Sequence, residues 1–174
     1  VARLALYTFG LFTRPAEDPA NDGFHAVNDP IFERVRQADG FLGHATYEDM
    51  DGGWDAGTQI YPRWYEERGD GWSPATLSLW RDAEAARAFT FTGMHAAAMR
   101  RARDWFREGP WPGHVAWWVA DRHFPGWAEA IARYEALADH GLDENHFTLG
   151  AAAPMPVEPG HEAPAAAAGN AISQ

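Results

Sequence analysis

Residues 76–106 read TLSLWRDAEAARAFTFTGMHAAAMRRARDWF, and the fold turns on how the pattern of this stretch changes along its length. Ala75 to Trp80 is short, apolar and rich in strand-forming residues, which predicts a β-strand. Asp82 then stands where a carboxylate accepts hydrogen bonds from the free N–H groups that open a helix. The helical pattern falters at Thr90–Gly93, where β-branched residues and a glycine cluster. It resumes with His95, Met99, Ala102 and Phe106 at helical offsets on one face, and Pro110 and Pro112 end it. A lone histidine therefore sits on an apolar helical stripe directly after a strand.

Upstream, Leu4 to Leu11 alternates as a first strand, with Leu4, Leu6 and Thr8 on one face and Ala5, Tyr7 and Phe9 on the other. The stretch TRPAEDPANDG is turn chemistry. Asp29 and Pro30 read as a helix start, with Ile31, Val35 and Ala38 as its buried stripe and Gly40 as its stop. Phe41–Tyr47 reads as a second strand carrying His44. Residues 48–73 form an irregular insert holding Trp54, Tyr61, Trp64, Tyr65 and Trp72, and loops of that length are functional or disordered. Its aromatic content favours a lid or a subunit contact. Asp49 and Asp51 resemble the opening of a calcium loop, but the later oxygen ligands are missing.

Downstream, His114–Val119 is apolar on both faces, as in a strand covered from both sides. Trp127, Ile131, Tyr134 and Ala138 mark a helix ending at Gly141, and His146–Leu149 a short last strand. Residues 1–150 thus read as one domain. Residues 151–174, rich in Ala, Pro and Gly, read as a flexible tail or an arm on a neighbouring subunit.

The chain has 174 residues, 46% hydrophobic and 14% aromatic, enough for a real core. Its formal charge of −11 repels phosphate backbones, so nucleic acid is not an expected partner. It has no cysteine, which excludes disulfides and thiolate chemistry. No leader pattern and no run of about 18 apolar residues appears, so a cytoplasmic protein without membrane contact is expected.

The order of elements contains a split β-α-β-β-α-β unit, an α+β ferredoxin-like antiparallel sheet with helices on one face. Its other face would be exposed. If Trp80 and Trp118 stand there, two copies would bury them by pairing into a barrel, a homodimer. The runs TLSLW, Phe89, His95, Trp105-Phe106, AWWVADRHFPGWAEAIARYEALADHG and HFTL resemble the family called domain of unknown function 3291. That resemblance spans Thr76 to Leu149 and departs from the family pattern at Ala102, Arg122 and Gly141-Leu142. It implies the dimeric α/β-barrel superfamily, beside antibiotic-biosynthesis monooxygenase-like proteins. Relatives there include cofactor-free monooxygenases, haem proteins, and isomerases or cyclising enzymes.

His95 is the leading catalytic candidate. A core histidine bonded to backbone is the plainer reading, and similar barrels that hold haem place an axial histidine on the corresponding helix. Trp80, Met99 and Trp118, with Trp54 from the insert, are candidate substrate-binding residues, since flat apolar side chains line small-molecule cavities. Trp117 and Trp118 point to opposite faces of their strand. His44 and His114 are candidate partners, because imidazole changes protonation near neutral pH. His25 is a further possible base, His123 reads as a turn residue, and Arg100, Arg101 and Arg103 as solvated surface. No metal-binding spacing is present, and no cofactor is expected, with haem as the alternative.

The expectation is a small-molecule enzyme acting on an apolar, aromatic metabolite, monooxygenase-like and cofactor-independent. The alternatives are a haem enzyme, a non-oxidative cyclase or dehydratase, and a non-enzymatic ligand-binding or dimerisation module.

Overall fold

The computed structural model describes residues 1–47 and 52–150. Four strands, β1 (Arg3–Phe9), β2 (Phe41–His44), β3 (Ala75–Trp80) and β4 (His114–Val119), form one antiparallel sheet in the order β2-β3-β1-β4. This is the ferredoxin-like order, with the first and third strands inside. The helices are α1 (Asp22–Arg36), α2 (Ala83–Thr90), α3 (Gly93–Arg100), α4 (Ala102–Trp105) and α5 (Trp127–His140).

Register decides what each face carries. Leu4 lies opposite Trp80 and Trp118, Leu6 opposite Ser78 and Ala116, and Thr8 opposite Thr76 and His114. These residues share one face, because side chains alternate along a strand. Val35 and Ala38, at and just beyond the end of α1, and Ala83, Ala85 and Ala86 from α2 pack on this face against Leu4, Leu6 and Trp80. Tyr7, Leu77, Leu79, Val115 and Trp117 occupy the other face, and α5 lies on them through Trp127, Ile131, Tyr134 and Leu137.

Both faces are therefore covered within one chain, which corrects the expectation of helices on one face only. The insert completes the second cover. Trp54, Tyr61, Trp64 and Tyr65 pack against the α5 core. Trp54 Nε1 donates to the Pro125 carbonyl at 2.8 Å, and Arg63 binds Asp139 of α5 with both guanidinium arms. Gly53 permits this docking. It has φ +93°, and a Cβ there would lie 2.4 Å from the His44 carbonyl oxygen. Trp80 and Trp118 lie on the α1/α2 face, not on an open one.

The helix break at Thr90–Gly93 falls where the sequence places it, and Asp82 caps α2 by accepting from Ala85 N–H at 2.8 Å. Other boundaries move. The first helix begins at Asp22 and holds exposed Pro30 in its interior. A 3-10 turn at Pro19–Asn21, capped by Asp18, leads into it. The second long helix divides again at Arg101 into α3 and the single turn of α4. The expected last strand contracts to a bridge in which Ala116 and Phe147 exchange hydrogen bonds of 2.8 and 2.9 Å. The expected tail at 151–174, and Asp49 and Asp51 of the insert, lie outside the described residues.

Candidate functional site

A cavity of about 700 Å³ lies between the β1/β3/β4 face and the layer formed by α1, α3 and α4. Small-molecule sites span roughly 300–1,000 Å³. Leu6, Thr8, Thr76, Ser78, Trp80 and His114 form its floor; Ile31, Phe32 and Val35 of α1 form one wall. His95, Ala98 and Met99 of α3, with Ala102 and Trp105 of α4, complete the opposite wall. Neither α1 nor α3 has a fully buried residue. Their apolar sides border this space, with Phe24, Val27 and Val35 of α1 also packing against buried residues beside it.

The floor owes its polarity to three small residues. Thr8 and Thr76, neighbours in register, join hydroxyls at 2.6 Å. Ser78 accepts from Trp80 Nε1 at 3.0 Å, which satisfies the polar atom of the fully buried indole. Phe41, Trp80, Phe89 and His95 follow one another in ring contact, with centroid separations of 5.3, 5.6 and 5.3 Å.

Three histidines reach the cavity, each held by backbone. His95 donates from Nδ1 to the Thr90 carbonyl at 2.9 Å, and His44 from Nδ1 to the Ala45 carbonyl at 2.7 Å. A carbonyl only accepts, so both rings carry a proton on Nδ1, and the neutral ring of His95 presents a basic Nε2. His114 has the same tautomer but is engaged through the other nitrogen. Its Nε2 accepts the Leu149 N–H at 2.8 Å, which puts the proton on Nδ1. Burial pushes the His95 pKa below its ordinary value, against the opposing pull of the Thr90 bond. Burial lowers that of His114 too, and repulsion from His95 adds to it. The wall thus holds a neutral acceptor and, near it, a neutral donor.

Of the residues singled out in the sequence, His95, Trp80, Met99, His44 and His114 come together around this space. Trp118 and Trp54 do not line it. Trp118 shares the correct face but packs on Phe147 at the β4 edge, and Trp54 lies on the opposite side of the sheet. His25 donates from Nε2 to the Ala16 carbonyl at 2.8 Å outside the cavity, and His123 bonds Glu129 at 2.6 Å on the surface. Arg101 and Arg103 pair with Asp104 and Glu108 in solvent. No three His, Asp or Glu side chains gather to hold a metal ion among the described residues.

Sequence reading found Ile31 and Val35 on one face but missed the first half of the α1 wall, because placing the helix start at Asp29 discarded Phe24 and Val27. The signal was present: Phe24, Val27, Ile31 and Val35 recur at three- and four-residue steps. Thr8, Thr76 and Ser78 were also passed over. Alternation placed Thr8 on the face of Leu4 and Leu6, and would place Thr76 and Ser78 with Trp80.

Fold and site together define an α+β protein whose ferredoxin-like sheet carries a partly open, mostly apolar cavity lined by three histidines. The chain belongs to the family described as Domain of unknown function (DUF3291), whose model matches residues 3–163. Among solved structures, Rv0793 from Mycobacterium tuberculosis is similar at 12% identity over 71% of this chain and 98% of that one, with a TM-score of 0.41. No curated protein gives a significant match. No helix among the described residues is long and apolar enough to cross a membrane.

Proposed function

We propose that the protein is a small-molecule enzyme that takes a flat, apolar, aromatic metabolite into the cavity and oxidises it without a cofactor. The observation that carries the reading is the 700 Å³ cavity with His95 in its wall. Partly exposed Phe89, backed by the fully buried Trp80, supplies aromatic surface, and the Thr8–Thr76 pair supplies hydroxyls on the floor.

The chemistry follows from the tautomers. His95 Nε2 removes a proton from an acidic phenol or an activated methylene, and the Nδ1–H of His114 is suited to hold the resulting oxyanion. The electron-rich anion reacts with dioxygen to a hydroperoxide, and loss of water leaves a carbonyl where the methylene stood. The substrate itself supplies the electrons, so no external reductant is required. Apolar walls that lower the polarity around the reacting atoms strengthen these interactions. Placement in the dimeric α/β-barrel superfamily, beside antibiotic-biosynthesis monooxygenase-like proteins, and action in the cytoplasm belong to the same reading. With one sheet face covered by α5 and the insert, a homodimer would have to form on another surface.

The test is oxygen uptake by the purified protein on a panel of anthrones and polycyclic phenols, under air and under nitrogen. Conversion that needs oxygen and falls about 10²- to 10⁴-fold in His95→Gln is the expected result. Equal turnover under nitrogen replaces the oxygenase with a non-oxidative cyclase or dehydratase.

The alternative of haem has one point in its favour: His95 bonds backbone through Nδ1 and keeps Nε2 for a metal, the usual arrangement of an axial ligand. The rest of the lining does not fit. Two propionates want cationic partners, and the cavity offers only Arg107, already bound to Glu66 at 2.7 Å. Absence of a Soret band after incubation with haemin would settle the matter against it.

A further inference from the structure

A second hollow of about 640 Å³ opens between α1 and the α2–α3 corner. Ile31, Phe89 and His95 line both this hollow and the inner cavity, so the two spaces are neighbours. The two spaces differ in chemistry. The outer one is lined by Arg34, Gln37, Asp39, Arg81, Glu84 and Thr92 in addition to the shared residues. Its charges cancel, two arginines standing against Asp39 and Glu84. Arg81 is also committed, holding Asp39 at 2.8 and 3.1 Å and Asp82 at 3.0 Å. Arg34, Gln37 and Glu84 are exposed, and no hydrogen bond or ion pair within the protein holds their side chains among the described residues.

We infer that the ligand is two-part: an aromatic body in the inner cavity, and a neutral, multiply hydroxylated group of glycosyl type in the outer hollow, joined past His95. The inference rests on the reading of the inner cavity as a small-molecule site and adds the class of ligand.

The outer lining selects the second part. Arg34 donates only, Glu84 accepts only, and Gln37 does both, so the hollow offers mixed donors and acceptors of the kind that vicinal hydroxyls satisfy. An anionic tail meets Glu84 and the negative charge of the whole chain; a cationic tail meets Arg34 and Arg81. A purely apolar tail would strip water from all of these without replacing it. A neutral polyol avoids each penalty. Its position also explains why His95 lies at the junction, where the bond linking the two parts, or the ring atom that bears it, passes the basic Nε2.

The experiment compares 2-naphthol, 2-naphthyl β-glucoside and 2-naphthyl β-glucuronide by calorimetry on the full chain. Glucoside affinity at least tenfold above that of naphthol is expected. In Glu84→Ala, and separately in Arg34→Ala, that ratio is expected to fall to near one. Equal affinities for naphthol and glucoside overturn the two-part ligand while leaving the inner site standing. A preference for the glucuronide overturns the neutral polyol in favour of an anion at Arg34. Failure of all three to bind overturns this inference and the inner-cavity reading together.

Discussion

His95 donates its Nδ1–H to the Thr90 carbonyl at 2.9 Å, across the break between α2 and α3. The bond places a backbone acceptor under the ring and leaves Nε2 as its basic atom. It also links the histidine to protein stability. Burial holds the folded pKa of His95, and of His114, below the ordinary 6.5. Above pH 6.5 both rings are neutral folded or unfolded, and the stability this gives is fully present. As pH falls toward the lowered folded values, the unfolded chain binds protons first and stability is lost. The melting temperature is expected to drop between pH 7 and 5, with a shallower slope in His95→Gln/His114→Gln at matched ionic strength. Parallel slopes would show that other groups govern acid sensitivity.

Tyr7 offers an opposite case on the far side of the sheet. It is fully buried, edge-on to Tyr134 at 5.3 Å, and its hydroxyl has no hydrogen-bond partner. Burial drives its pKa far upward. A buried hydroxyl without a partner costs about 1–3 kcal/mol. Tyr7→Phe is therefore expected to raise the urea midpoint, by about 1 kcal/mol in stability. Tyr134→Phe is expected to lower it by a similar amount, since Tyr134 donates to the Pro112 carbonyl. Changes of the same sign in the two variants would remove the argument.

The parts of the fold that announced themselves in the sequence are those where local signals agree. Asp82 is a cap by residue type and by geometry, and β3 and β4 have the bounds their alternation gives. Trp80, His95 and Met99 converge because a strand and the helical region after it must fold back over one sheet. Local reasoning failed where tertiary packing overruled it. Pro30 looks like a helix start, yet α1 runs through it because it lies on the exposed side and the cavity-facing side spans Phe24 to Val35. The destination of the insert was equally hidden. Nothing local to Trp54 indicates that its indole seeks the Pro125 carbonyl, 71 residues away.

Gly53 is expected to be the sensitive point of that docking. At φ +93°, with the His44 carbonyl oxygen 2.4 Å and the Thr46 nitrogen 2.9 Å from the position of a Cβ, alanine fits neither conformation nor space. The neighbouring Trp54 exchanges backbone bonds with His44 and Thr46 at 3.1 and 2.8 Å. Gly53→Ala is expected to cost about 1–3 kcal/mol and to expose the insert to limited proteolysis. A variant as resistant to protease as the parent would show that α5 alone holds the insert.

Thr76 and Leu77 are adjacent, and the two faces of the sheet give them different work. Leu77 is fully buried under α5 in the main core, whereas Thr76 lines the cavity and shares its hydroxyl with Thr8. Leu77→Ala leaves a hole among packed side chains and is expected to cost about 2–5 kcal/mol. Thr76→Leu pushes its extra bulk into open space, so its cost in stability is expected to be smaller, about 1 kcal/mol from the unpaired Thr8 hydroxyl. Its cost in binding is larger, because the branched side chain occupies the floor on which an aromatic ligand would lie. Urea melts and calorimetry with 2-naphthol on both variants separate the two faces. If Leu77→Ala weakens the ligand more than Thr76→Leu, the cavity above β1 and β3 is not the binding site.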